Sequence, residues 1–152
     1  MHIVRSVFIL LFIFTSTLAS ANSTDELEKT LNEARGQVVY LDFWASWCGP
    51  CRKSFPWLNA MQAKYKDQPF KVVSVNVDAE QALAEDFLKA LPAHFPVIYD
   101  PKGKVAREFK LKGMPSSYLI NKAGKIVSAH VGFIDNKKST YEQEIVQLIQ
   151  QK

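Results

Sequence analysis

The sequence predicts an α/β fold: a central mixed sheet flanked by helices, with a further short helix and strand before the last hairpin. Three observations carry this. Val38–Trp44 (VVYLDFW) and Phe70–Val77 (FKVVSVNV) are near-continuous apolar runs rich in β-branched and aromatic residues, the pattern of strands buried on both faces. Segments of helical period alternate with them, which implies a parallel pair joined by a crossover. After Met114-Pro115, two short strand-like runs flank the turn Lys122-Ala123-Gly124, as in a closing antiparallel hairpin.

Ser23-x-x-Glu26 has the form of a capping box and opens a helix running to about Ala34, with Leu27 and Leu31 on one face. Gly36 ends it, and Val38–Trp44 follows as the first strand. From Gly49 to about Lys66 the period is helical, with Phe55, Leu58, Met61 and Tyr65 forming one stripe. Phe70–Val77 is the second strand. Gln81–Leu91 reads as a short helix, Phe95–Tyr99 as a short strand, and Pro101–Phe109 as a turn entering one or two helical turns. Ser117–Ile120 and Lys125–Val131 make the hairpin. Ser139 is positioned to cap a last helix with apolar positions Tyr141, Ile145, Leu148 and Ile149.

The 152 residues are 47% hydrophobic, enough for one domain with a real core. The net charge of +4 comes from scattered Lys and Arg with no basic block, which argues against nucleic acid as a partner. No glycine-rich phosphate fingerprint follows an apolar strand, and nothing calls for a cofactor. Residues 1–21 read as a cleaved signal peptide. Met1–Ser6 carries Arg5 and no acid, Val7–Phe14 (VFILLFIF) is densely apolar, and Ala19-Ser20-Ala21 is a small-x-small cleavage site. Thr15, Ser16 and Thr17 interrupt the run short of the roughly 18 apolar residues a membrane helix needs. An uncleaved anchor through residues 7–18 is the alternative. Residues 22–152 are then the working domain, placed in the periplasm.

Export changes how the two cysteines read. Both lie in Cys48-Gly49-Pro50-Cys51, and so short a loop constrains the unfolded chain very little. Chemistry explains the pair better than stapling. The motif stands between a buried strand and a helix. There, free backbone N–H groups and the positive end of the helix dipole favour a thiolate at Cys48, lowering its pKa from the free value of about 8.5. Cys51, one turn on, is placed to resolve, and Pro50 suits a first turn because its missing N–H is no loss there. A zinc site would need two more ligands, and only His94 and His130 remain in the exported chain, in unrelated segments. An inert disulfide is a further alternative. His130 reads as a surface or edge residue of its strand, and His94 as part of a proline-rich connection.

Val39–Cys51 (VYLDFWASWCGPC), the order of elements, and Met114-Pro115 ahead of a strand resemble the thioredoxin superfamily. The export signal and the 36 residues between Asp78 and Pro115 resemble its bacterial TlpA/ResA/CcmG-like branch, which typically carries an insert there. The resemblance implies a thioredoxin fold and a redox-active Cys48-Cys51 disulfide in a protein-disulfide reductase. It implies that Asp42 is the buried acid that exchanges protons with the resolving thiol, a role that suits a carboxyl whose pKa burial would raise. It implies that Pro115 is cis, with Met114 presenting its backbone to an extended client, and that Trp47, Gly49 and Pro50 border the client groove.

Ser54 stands where that branch often has an acid. Ser74 stands at about the place where thioredoxins carry a lysine that pairs with the buried acid. Implied partners are disulfide-bearing client proteins, including an apocytochrome or another metalloprotein awaiting its metal, and a membrane thiol–disulfide electron donor; the chain would act as a monomer. Two other readings stand beside the reductase: a periplasmic dithiol oxidant, and a thioredoxin-fold binding module or chaperone without turnover. No Thr-x-x-Cys arrangement supports a peroxidase.

Overall fold

Strand β1 (Val38–Trp44) is buried along its whole length and forms the axis of the sheet. The computed structural model describes residues 22–151, so the leader read over residues 1–21 lies outside the described residues. On one side β1 pairs in parallel with β2 (Phe70–Asn76), from Val38 opposite Phe70 to Trp44 opposite Asn76. On the other it pairs antiparallel with β4 (Ser116–Ile120), from Val39 opposite Ile120 to Phe43 opposite Ser116. Strand β3 (Val97–Tyr99) extends the sheet in parallel beyond β2, and β5 (Ile126–Val131) closes the far edge against β4. The order is β3-β2-β1-β4-β5, a mixed sheet of the thioredoxin-like kind.

Because side chains alternate across a strand, β1 feeds two separate core layers. Val38, Tyr40 and Trp44 pack under α2 (Gly49–Lys64) and α5 (Lys138–Gln150), with Phe55, Leu58, Met61, Tyr141 and Ile145. Val39, Leu41 and Phe43 face the opposite layer, where Leu27 of α1 (Ser23–Glu33) and Val105 of α4 (Lys104–Glu108) cover them. Helix α3 (Gln81–Ala90) and β3 are the expected helix-strand insert, with Ala84 and Phe87 adding to the first layer. Among the described residues no helix is long and apolar enough to cross a membrane.

Two cap assignments need correction. The N-cap of α1 is Asn22, whose side chain accepts from the Thr24 N–H, and not Ser23. Ser23 is drawn away by a better partner, donating its hydroxyl to Asp100 Oδ1 at 2.8 Å. Ser139 does not cap α5, because a 3-10 turn over Asp135–Lys137 feeds the chain into a helix that has already begun at Lys138.

Asp100 was not singled out by sequence, yet its buried carboxylate joins α1 to α4. Besides Ser23 it accepts from the backbone N–H of Lys104 at 2.9 Å and of Ala106 at 3.0 Å. An acid bonded to free N–H groups at a helix start is favoured by the hydrogen bonds and by the helix dipole. Asp100→Ala should cost about 2 kcal/mol of stability in urea unfolding, since it orphans three partly buried donors at two helix starts. Asp100→Asn should cost less, because its carbonyl still accepts.

Candidate active site

The polypeptide leaves β1 at Trp44 and enters α2 at Gly49 through a loop anchored at both ends. Asp78 Oδ2 accepts from the Ser46 N–H and Asp78 Oδ1 from the Ser46 hydroxyl, each at 2.9 Å. Asn76 Nδ2 donates to the same carboxylate at 2.8 Å, and the Asp78 N–H returns a bond to Asn76 Oδ1. Thus the C-terminal end of β2 holds the loop that leads to the cysteines. Sequence reasoning passed over Asn76 and Asp78; the available signal was a pair of polar residues closing an otherwise apolar strand.

Cys48 is the N-cap of α2, with φ −84° and ψ 105°, and its Sγ accepts from the Cys51 N–H at 3.2 Å. A sulfur therefore takes the place that a Ser or Asp oxygen holds at most helix starts. Cys48 and Cys51 form a disulfide with an S–S distance of 2.03 Å and Cα atoms 5.3 Å apart. Cys51 is fully buried, and Cys48 only slightly less so. Pro50 lies in the first turn. Trp47 is 68% exposed, so its ring is not an ordinary packing residue. Ser54 donates its hydroxyl to the Cys51 carbonyl at 3.0 Å.

Asp42 lies on the layer of β1 covered by α2, between Tyr40 and Trp44, both packed in the cluster that includes the cysteines. Oδ1 accepts from the Ser117 hydroxyl at 2.7 Å, while Oδ2 is buried with no hydrogen-bond partner among the described residues. Burial pushes the carboxyl up from 3.8 to about 7, and the Ser117 bond, which favours the charged form, works against that rise. Burial, then the Asp42 charge, also pushes the Tyr40 phenol above its ordinary value. Ser74 stands directly opposite Asp42 in the β1–β2 register but turns elsewhere. Its Oγ accepts from Trp44 Nε1 and donates to the Pro96 carbonyl, each at 3.2 Å.

The Met114–Pro115 peptide bond is cis. Since Ser116 pairs with Phe43, Pro115 lies at the end of the sheet where β1 runs out towards Cys48. The Pro115 carbonyl is taken by the Gly132 N–H at 2.7 Å, whereas Met114 makes no backbone hydrogen bond among the described residues. A Cβ on Gly113 would sit 2.9 Å from a methyl of Val131, so a larger residue there would have to displace that exposed side chain on β5. His94 is exposed, and its N–H is held by Asn59. His130, on edge strand β5, lies 2.9 Å from Glu144 Oε2, with its ring against Tyr141.

The description that matches this chain in a scan of family models is Redoxin, over residues 14–145, and the chain belongs to that family. It is 32% identical over 102 residues to the thiol-disulfide oxidoreductase ResA of Bacillus cereus, covering 67% of this chain and 59% of that one. It is 35% identical over 101 residues to the sporulation thiol-disulfide oxidoreductase A of Bacillus subtilis, covering 64% of this chain and 61% of the relative. The chain thus spans less than two thirds of the length of these curated relatives. A crystal structure from Chlorobium tepidum, assigned as thiol:disulfide interchange protein DsbE, superposes with a TM-score of 0.77 at 54% identity, covering 78% of this chain and 84% of that one.

The raised Asp42 carboxyl has a consequence for stability. The folded state keeps its proton up to about pH 7, whereas the unfolded chain releases it near 3.8. Below that lower value both states are protonated and Asp42 is neutral to stability. As pH rises from about 4 to about 7 the unfolded state is increasingly favoured, because it alone ionises freely. Asp42→Asn, uncharged throughout, should therefore gain stability relative to the parent over that interval and hold a constant advantage above it. Urea midpoints at pH 4, 5.5, 7 and 8 check this, and a constant difference across the series would contradict a buried, raised carboxyl.

Proposed function

We propose that this Redoxin-family chain is an exported protein-disulfide reductase that works through Cys48 and Cys51. The observation that carries the reading is the position of Cys48 Sγ at the N-cap of α2, where it accepts the Cys51 N–H. In the dithiol, the same N–H and the helix dipole favour a thiolate at Cys48. That thiolate attacks one sulfur of a client disulfide. A mixed disulfide forms between Cys48 and the client, and the other client sulfur leaves as a thiolate with the electron pair. Cys51, its proton accepted by Asp42, then attacks Cys48 Sγ. The Cys48–Cys51 bond forms, the second client sulfur leaves, and two electrons have passed to the client. A membrane thiol–disulfide relay restores the dithiol.

The client lies extended beside Met114, whose backbone groups are free to pair with it, and against the exposed ring of Trp47; Gly49 and Pro50 complete the border. Clients are disulfide-bearing proteins, an apocytochrome or a metalloprotein awaiting its metal among them. Residues 1–21 direct export and residues 22–152 act in the periplasm as a monomer. The basic start, the apolar run Val7–Phe14 and the Ala19-Ser20-Ala21 site support that assignment.

A trapping experiment separates the roles. With a disulfide-bearing client in excess, reduced Cys51→Ser should accumulate a covalent complex that dithiothreitol dissolves, and Cys48→Ser should accumulate none. A covalent complex formed by Cys48→Ser would reverse the two roles. Equal, non-covalent retention by the parent and both variants would identify a binding module instead of an enzyme.

A further inference from the structure

Four residues stand in one row across the sheet: Ser74 on β2, Asp42 on β1, Ser117 on β4 and His130 on β5. Paired residues of neighbouring strands point to the same side, so all four belong to the layer covered by α2 and α5. The two ends of the row are committed elsewhere. Ser74 is held by Trp44 and Pro96, and His130 by Glu144, which also accepts from Ser128 at 2.9 Å. Ser117, 3% exposed, is the member that turns to Asp42, donating to Oδ1 at 2.7 Å. The other titratable groups of the layer are Tyr40 on β1, whose phenol the Ser117 hydroxyl also reaches, Cys48 and Cys51 at the start of α2, Tyr65 beyond its end, Tyr99 on β3, and Tyr141 and Glu144 on α5.

We propose that Ser117 is the positioning residue of Asp42: its hydroxyl holds Oδ1 and leaves Oδ2 as the oxygen that takes the proton of the resolving thiol. This deepens the redox reading of Cys48 and Cys51 and rests on it. The terminal torsion of an aspartate is broad and roughly two-fold, so a carboxyl with two bare oxygens can present either one. A single donor removes that equivalence. The same hydroxyl bonds a charged carboxylate more strongly than a neutral carboxyl, so it favours ionisation where burial alone would hold the proton on. In the resolving step the Cys51 S–H bond breaks and its proton passes to Oδ2. The Cys51 sulfur bonds to Cys48 Sγ, and the client sulfur departs with the electron pair of the mixed disulfide. Proton and electrons balance with no further reactant.

The test reads Asp42 itself, by its carboxyl carbon resonance across pH in the oxidised protein. Ser117→Ala should move the midpoint upward by about one unit, the size expected for one hydrogen bond to a charged group. Ser117→Thr, which keeps a hydroxyl, should return it towards the parent value. In turnover with a disulfide-bearing client, the pH profile of Ser117→Ala should shift in the same direction. An unmoved midpoint in Ser117→Ala, or one displaced equally in Ser117→Thr, overturns the proposal. Should Ser117→Ala fail to fold, the Cβ resonance of Ser117 in the parent decides: it should titrate with the Asp42 midpoint, and a flat signal overturns the proposal. Because the oxidised protein is observed without turnover, a chain that reduced no disulfide would defeat the redox reading while leaving the Asp42 titration legible.

Discussion

The structure depends on the run from a doubly buried strand straight into a helix, with a cysteine at the junction. β1 has to be apolar on both faces, because α2 and α5 cover one and α1 and α4 the other. Its direction aims the following loop at the open end of the sheet, and the Asn76–Asp78–Ser46 network holds that loop against β2. Only then does α2 begin with Cys48 as its cap, and the Cys51 N–H of the first turn falls on its sulfur. Moving the junction by one residue would place Trp47 or Gly49 at the cap and lose this contact.

A carboxyl in the middle of that strand is costly, and its environment limits the cost without removing it. One oxygen of Asp42 has Ser117 and the other has nothing among the described residues. An apolar residue of similar size would make a firmer core. What the arrangement retains is a group that changes protonation near neutral pH beside the cluster that contains both cysteines. An ionisable group kept at a cost to stability is common at sites of chemistry. Ser74, opposite Asp42, spends its hydroxyl on Trp44 and Pro96, and among the described residues only the Ser117 bond works to lower the carboxyl.

Much of this was legible in the sequence because strong local signals agreed with one another. VVYLDFW and FKVVSVNV declare buried strands, CGPC declares a helix start, and a proline ahead of an apolar run declares the turn before β4. Asp42 was conspicuous as a charge within an apolar run. The misplaced caps at Ser23 and Ser139 have a common origin: a hydroxyl near a helix start satisfies the pattern, but tertiary partners decide where it bonds. Asp100 took Ser23, and the 3-10 turn made Ser139 an interior residue. Ser117, Asp78 and Asn76 were overlooked for a related reason. Their importance lies in cross-strand register and in contacts between strand ends, which no local window contains.

The central claim is that the helix start makes Cys48, and not Cys51, the nucleophile. The most direct measurement is the rate of iodoacetamide alkylation of the fully reduced protein across pH, with the modified peptide identified at each point. The account predicts labelling at Cys48 first, with a midpoint well below the free-thiol value of about 8.5. Labelling at Cys51 first, or at Cys48 with the pH dependence of an ordinary thiol, would contradict it.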